Sequence, residues 1–291
     1  MENDIKEIGC VGCLSKDKTF FGKKNGFNIY KCSNCRMLSL YKKPQTLDQV
    51  YNSEYFSGGS GGFGYVNYDE DKEPMRNSFK KYLDLITKIS NKKGKLFDVG
   101  AATGFFMSLA KVDGFEVSGV EFSDFAAGQG RSRGFDIKTG TLDKLAIEEG
   151  GYEVVTMLDV IEHMPDPEND IKIIQKMLKQ NGLVVVNTPD SGSFYARMMG
   201  INWHLVVPPE HIHYFNERGI RELFTRNGFE VLLVTRMSKK FTLEYIFNML
   251  FKWLKVGLFQ KIAIRLKGTS LGRLSLPTDL RDNMFIVAKK L

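Results

Sequence analysis

The chain has 291 residues, 43% hydrophobic and 26% charged, which excludes a wholly disordered protein. Its net charge of +7 suits nucleic acid, an anionic membrane surface or a phosphorylated ligand, but the long basic run of a nucleic-acid-binding tail is missing. The polar start at Met1 lacks the basic-then-apolar pattern of a secretion signal, and no apolar run is long enough for a membrane span, so a cytoplasmic location is expected.

All four cysteines, Cys10, Cys13, Cys32 and Cys35, fall in two Cys-x-x-Cys pairs. Two such knuckles can place four thiolates tetrahedrally around one zinc ion. Between them, Phe20 to Gly22 and Phe27 to Tyr30 read as strands joined by a Lys-Lys-Asn-Gly turn, the layout of a zinc ribbon. Two disulfides are the competing reading, weakened by the missing secretion signal. Four thiolates close the coordination sphere, so this zinc is expected to be structural.

Residues 44–74 follow as a linker or lid. Tyr51, Tyr55 and Phe56 precede the glycine-rich run 57–64, and Tyr65 and Tyr68 follow it. Such a run packs no core; it either links domains or closes over a ligand.

From residue 75 onward, helices and strands alternate. A helix is expected at 75–90, with Phe79, Leu83 and Ile86 on one face. Strands are expected at 95–99, 115–120, 135–138 and 153–158, with helices at about 105–111 and 123–133 between them. Asp166-Pro167 opens a helix carrying Ile171, Ile174 and Leu178, expected to stop at Asn181-Gly182. A strand at 183–187, a helix at 217–227, a strand at 229–235 and a last strand at 283–289 complete the pattern. The alternation predicts a doubly wound, Rossmann-like seven-stranded α/β sheet with helices on both faces.

Ligands bind such sheets at the carboxyl ends of the strands. The first strand ends in Asp98-Val99-Gly100-Ala101-Ala102-Thr103-Gly104, whose small residues let backbone approach a ligand. The dinucleotide fingerprint fails at Ala102 and Phe105, and the P-loop fails at Phe105-Phe106. An acid ahead of the glycines repels a pyrophosphate and suits an amine-bearing ligand.

Here the sequence resembles the class I methyltransferases, whose first motif reads Asp/Glu-x-Gly-x-Gly-x-Gly. Asp98, Gly100 and Gly104 match it, and Ala102 replaces the middle glycine. The resemblance implies that this loop wraps the methionine part of S-adenosylmethionine and that Glu121, followed by Phe122, receives the ribose hydroxyls. It also implies that Thr141 and Leu142 lie against the adenine. The stretch from Asp159 through His163 to Pro167 is similar to one in quinone-biosynthesis methyltransferases, which implies that Asp159 and His163 flank the cofactor.

Methyl transfer to a hydroxyl or carbon acid needs a base past the fifth strand. Pro208-Pro209-Glu210-His211-Ile212-His213-Tyr214-Phe215 stands there. Either His211 or His213 is the candidate base, with Glu210 the partner of His211; alternatively these residues only cap the next helix. Up to about residue 236 the chain resembles methyltransferases encoded with bacterial surface-glycan and sugar-modifying enzymes. In related sugar C-methyltransferases a Glu-His pair in this loop is implicated in deprotonation. The resemblance implies a class I methyltransferase domain at 75–291 behind a zinc ribbon at 1–43. The expected acceptor is a small molecule, a sugar or glycoconjugate, methylated on oxygen or carbon. An RNA methyltransferase is the alternative enzyme, although the basic residues are scattered. A non-catalytic zinc-ribbon module with a degenerate cofactor domain is the other alternative.

A helical insertion is expected at about 238–275. Within it, Ile246, Phe247, Leu250, Phe251, Leu254 and Leu258 recur at helical spacing across 241–266, with lysines between. This helix either packs on the domain or lies against the inner face of a membrane.

Overall fold

The computed structural model describes residues 9–40, 73–146, 148–236, 239–254, 256–278 and 280–291, so most of the expected linker or lid lies outside the described residues. Near the N-terminus, β1 (Lys18–Lys24) and β2 (Phe27–Cys32) form an antiparallel hairpin. Asn25 and Gly26 both take positive φ there, as a tight two-residue hairpin turn demands. β3 (Leu38–Leu40) adds a third strand.

Helix α1 (Arg76–Ser90) buries Phe79, Tyr82, Leu83 and Ile86, an i, i+3, i+4, i+7 stripe, and ends at Asn91 in the left-handed conformation. Then come β4 (Lys95–Val99), α2 (Phe105–Val112), β5 (Glu116–Glu121), α3 (Asp124–Ser132), β6 (Asp136–Thr139) and β7 (Tyr152–Leu158). Helix α4 (Pro167–Met177) is capped by Asp166, whose carboxylate accepts from the Asn169 N–H.

This helix ends four residues before the expected stop. Leu178 is fully buried and pairs with Tyr152, so it opens β8 (Leu178–Pro189) and leaves the helix face. Asn181, at φ 62°, lies inside β8 where the register against β7 shifts, between the Tyr152–Leu178 and Val154–Leu183 pairs.

Next are α5 (Phe194–Met199), β9 (His213–Tyr214), α6 (Glu217–Arg226), β10 (Phe229–Arg236) and β11 (Lys239–Thr242). The single helix expected at 241–266 is two helices, α7 (Leu243–Leu254) and α8 (Gly257–Leu266). Val256 takes an extended conformation and Gly257 starts a new helix, so the helical spacing runs through a break. The Phe247 and Phe259 rings pack 6.2 Å apart across it. β12 (Ser275–Thr278) pairs with β11, and β13 (Asn283–Lys290) ends the chain of elements. No helix among the described residues is long and apolar enough to cross a membrane.

The central sheet has the order β10-β13-β8-β7-β4-β5-β6. β13 runs antiparallel to both β8 and β10; the other pairings are parallel. Strand residues alternate between two cores. Phe97, Val155, Val184 and Ile286 face one side with α4 and α6, while Leu96, Val154, Val185 and Phe285 face the other with α1 and α2. That period of two places helices on both faces.

A second sheet, β1-β2-β3-β9, joins the N-terminal hairpin to the main domain. Ser39 pairs with His213 and Leu38 with Tyr214, and the Leu40 N–H donates to the Ile212 carbonyl. Asn216 donates to the Cys35 carbonyl, and Arg218 donates to both the backbone and the side chain of Asn34. The cysteine-bearing unit therefore braces residues 212–216.

If the four thiols hold this brace together, Cys35→Ser will raise amide hydrogen exchange across residues 212–216 and spare residues 96–99 of β4. Unchanged exchange at 212–216 would show that the brace does not depend on the cysteines.

Candidate active site

The four cysteines converge. Cys10 Sγ lies 3.5 Å from Cys35 Sγ, Cys13 Sγ lies 3.5 Å from Cys32 Sγ, and all four sulfurs fall within 4.8 Å of one another. A disulfide needs about 2.05 Å, and the thiols are free. Thiolates at about 2.3 Å from a tetrahedral zinc stand about 3.8 Å from each other. Donor set and spacing both fit a structural zinc ion.

The strand order reverses between β4 and β7, which fixes the ligand edge of the sheet. Asp98, near the end of β4, is 3% exposed and pairs in register with Thr156 of β7. The Thr156 hydroxyl donates to Asp98 Oδ1 at 2.6 Å. Burial, reinforced by the Glu121 charge and opposed by the Thr156 bond, pushes the Asp98 carboxyl up to about 7. Such an acid is poised to ionise when a cation is placed beside it.

The loop after β4 bends through three left-handed residues: Gly100 at φ 74°, Ala102 at φ 48° and Gly104 at φ 81°. A methyl group added at Gly100 would come 2.5 Å from Val160 Cγ2, so glycine there answers both conformation and space. Glu121, buried at the end of β5, accepts from the Ala102 N–H at 2.8 Å and the Ser123 N–H at 2.9 Å. One carboxylate thus ties the strained loop to the start of α3. Its remaining lone pairs can serve ligand hydroxyls. Phe122 beside it is half-buried.

After β6, Leu142 is buried, and the buried Thr141 hydroxyl has no hydrogen-bond partner among the described residues. A cleft bounded by Phe79, Asp98, Gly100, Phe105, Phe106 and Leu158 opens at this edge. Asp159, at φ 58°, donates its N–H to the Asn187 carbonyl, and the Asn187 amide in turn donates to Asp159 Oδ1. The Tyr82 hydroxyl donates to Asn187 Oδ1 at 3.2 Å.

On the neighbouring side, His163 donates Nδ1–H to the Glu210 carbonyl at 2.8 Å. Burial holds its pKa down to about 4, against the Glu210 bond and the Asp159 charge, so the ring is neutral at physiological pH. His211 donates Nδ1–H to the Leu205 carbonyl at 2.8 Å. The two rings stand 4.6 Å apart, nearly perpendicular. The carboxylate of Glu162 also lies within 4.8 Å of both histidine donor atoms. His213 occupies β9 opposite Ser39, with its ring 6.0 Å from that of Phe215.

The structure thus brings Asp98, Gly100, Ala102, Gly104 and Glu121 together, and separately gathers His163 and His211. Thr156, Asn187 and Glu162 escaped the sequence reading as site residues. A signal existed for Asn187: it ends an apolar run with Thr188 at the ligand edge of β8.

The sheet thus has its last strand inserted antiparallel, and buried acids stand near the ends of two adjacent parallel strands. The family model described as a methyltransferase domain matches residues 73–234, more than half of the chain, and the chain belongs to that family. Among curated relatives, the ubiquinone biosynthesis O-methyltransferase of Marinobacter nauticus is 27% identical over 154 residues, covering 49% of this chain and 63% of that protein. That of Bordetella bronchiseptica is 26% identical over 131 residues, covering 42% and 54%. The chain therefore spans between about half and just under two thirds of the length of these relatives. Two solved structures share the fold. A methyltransferase of Thermotoga maritima, described as a possible histamine N-methyltransferase, has a TM-score of 0.52 at 20% identity, covering 77% of this chain and 94% of that one. The magnesium protoporphyrin IX methyltransferase of Synechocystis, solved with bound S-adenosylhomocysteine, has a TM-score of 0.53 at 13% identity, covering 84% and 100%.

The site residues fit S-adenosylmethionine: a buried acid for its amine, a left-handed loop for close approach, Glu121 for hydroxyls and the Thr141 hydroxyl beyond.

Two outcomes are expected. Ala102→Gly should relieve left-handed strain and stabilise the fold by up to about 1 kcal/mol in denaturant unfolding; a loss of stability would contradict the strain. Asp98 has a folded pKa above its unfolded value, so its contribution to stability is fully present below about pH 4 and is lost as pH rises through about 7. Asp98→Asn should therefore stabilise the protein above pH 7, by an amount on the order of 4 kcal/mol at most, and flatten the pH dependence of its melting temperature.

Proposed function

We propose that the protein transfers a methyl group from S-adenosylmethionine to a hydroxyl of a small-molecule acceptor. The observation that carries this reading is the placement of Asp98 and Glu121 at the ends of adjacent strands around the left-handed loop. When bound, S-adenosylmethionine supplies a methyl group on a sulfonium sulfur, which the acceptor oxygen displaces in line, leaving a neutral thioether. Asp98, ionised by the neighbouring cation, holds the amino end. The loop N–H groups and Glu121 fix the ribose and so aim the sulfur at the acceptor.

On the acceptor side, the Nδ1–H bond to Leu205 fixes the His211 tautomer with Nε2 as the basic atom, the one that takes the proton of the acceptor hydroxyl. Glu210 lends its carbonyl to His163 and so helps to place the second imidazole. The β3–β9 pairing, which a zinc ion on the four cysteines would tie down, steadies this loop. Oxygen as the methylated atom is supported by the O-methyltransferase relatives; a sugar or glycoconjugate acceptor is supported by the resemblance of the chain to glycan-modifying methyltransferases.

Titration calorimetry with S-adenosylhomocysteine should show binding that Glu121→Ala weakens at least tenfold, because the substitution removes the hydroxyl acceptor and releases the Ala102 N–H. His211→Ala should bind as the unaltered protein does and turn over slowly. Absence of binding by folded, zinc-loaded protein would sink the methyl-transfer reading, and loss of cofactor affinity in His211→Ala would refute the acceptor-side role.

A further inference from the structure

We propose a second metal site, in which Glu162, His163 and His211 hold a divalent transition-metal ion at the acceptor side of the cofactor edge. Three observations converge on it. One donor atom from each residue lies within 4.8 Å of the others, and His163 Nε2 stands 4.0 Å from Glu162 Oε1. Both imidazoles donate Nδ1–H to a backbone carbonyl, His163 to Glu210 and His211 to Leu205. That is how metal-binding histidines are oriented, with the tautomer fixed so that Nε2 carries the lone pair. Glu162 is held in the same manner: Thr188 donates to its Oε2 at 2.9 Å, which leaves Oε1 on the side of His163, and its carbonyl accepts the Ile212 N–H.

The spacing is close to what coordination needs. Nitrogen and oxygen donors at about 2.1 Å from a four-coordinate ion stand about 3.4 Å apart, so a small rotation of each side chain closes the set. Two imidazoles and one carboxylate select ions of the manganese-to-zinc series over magnesium or calcium. Three protein ligands leave a fourth position open, unlike the closed four-thiolate cluster. The two sites therefore divide the work: one braces the loop, the other faces the chemistry.

The consequence for the acceptor rests on the methyl-transfer reading. An acceptor hydroxyl in the fourth position gives up its proton to water, because the ion favours the ionised oxygen. The methyl carbon then bonds to that oxygen as its bond to sulfur breaks, with the electron pair returning to sulfur. Where the ion is bound, it takes over from His211 Nε2 the task of favouring the ionised oxygen, His211 holds the ion instead of meeting the hydroxyl directly, and the acceptors favoured are those with an oxygen able to bind it.

The test is equilibrium dialysis of the full, untagged, zinc-loaded chain against cobalt(II), with zinc and cobalt counted per chain by emission spectroscopy. The expected total is two. The ion outside the thiolate cluster, where it is cobalt, should give ligand-field absorption without thiolate charge-transfer bands. His211→Ala and Glu162→Gln should each reduce the total to one and keep affinity for S-adenosylhomocysteine, which shows that they fold. A total of one in the unaltered protein overturns the proposal and needs no variant to fold. So does a total of two in both variants, or cobalt uptake accompanied only by thiolate bands. Failure of the methyl-transfer reading is seen separately, as absence of S-adenosylhomocysteine binding.

Discussion

The buried carboxylate of Glu121 is the interaction on which the rest of the cofactor edge hangs. Its two oxygens are taken by the N–H groups of Ala102 and Ser123. The first bond holds a left-handed alanine in place; the second starts α3 beside it. Without that carboxylate, two buried N–H groups would lose their partner, at a cost of about 1–3 kcal/mol each. Burial raises the pKa of Glu121 in spite of these bonds. The residue is held in an environment that disfavours its charge.

The cofactor half of the site was legible because its chemistry is local. Asp98 to Gly104 is one contiguous turn between a strand and a helix, and Glu121 follows one βαβ step later. What lay hidden depends on strand register and on returns of the chain. Thr156 reaches Asp98 only because β7 lies beside β4 in register. His211 meets His163 through a loop that comes back over the edge some fifty residues later, and no periodicity announces such a meeting. The sequence pairing of His211 with Glu210 followed adjacency along the chain; the structure gives the His211 Nδ1–H to Leu205 and sets the Glu162 carboxylate near its ring.

The fold was read on the same terms. Apolar strands alternating with amphipathic helices along the chain marked a parallel sheet with helices on both faces, since that pattern needs no knowledge of which strands pair. The two-residue strand β9 has no sequence signature, because its partner β3 stands far away in the N-terminal unit. The break between α7 and α8 carries no proline, and apolar spacing continues across it. Helix α4 was overextended because Leu178 fits a helix face and a strand equally well; its pairing with Tyr152 decides.

The antiparallel insertion of β13 has a consequence for how this architecture diversifies. β10 and β13 are adjacent strands, and the end of β10 pairs with the start of β13 at the same edge as the end of β8. The segment between them, with α7 and α8, rises from the edge where ligands bind, and both its ends are pinned by a paired ladder. Closing a pinned loop costs only about 0.6 kcal/mol more for each doubling of its length. This excursion is therefore cheap to lengthen, shorten or exchange. Selection can reshape that segment while Asp98, Glu121 and the loop between them stay untouched.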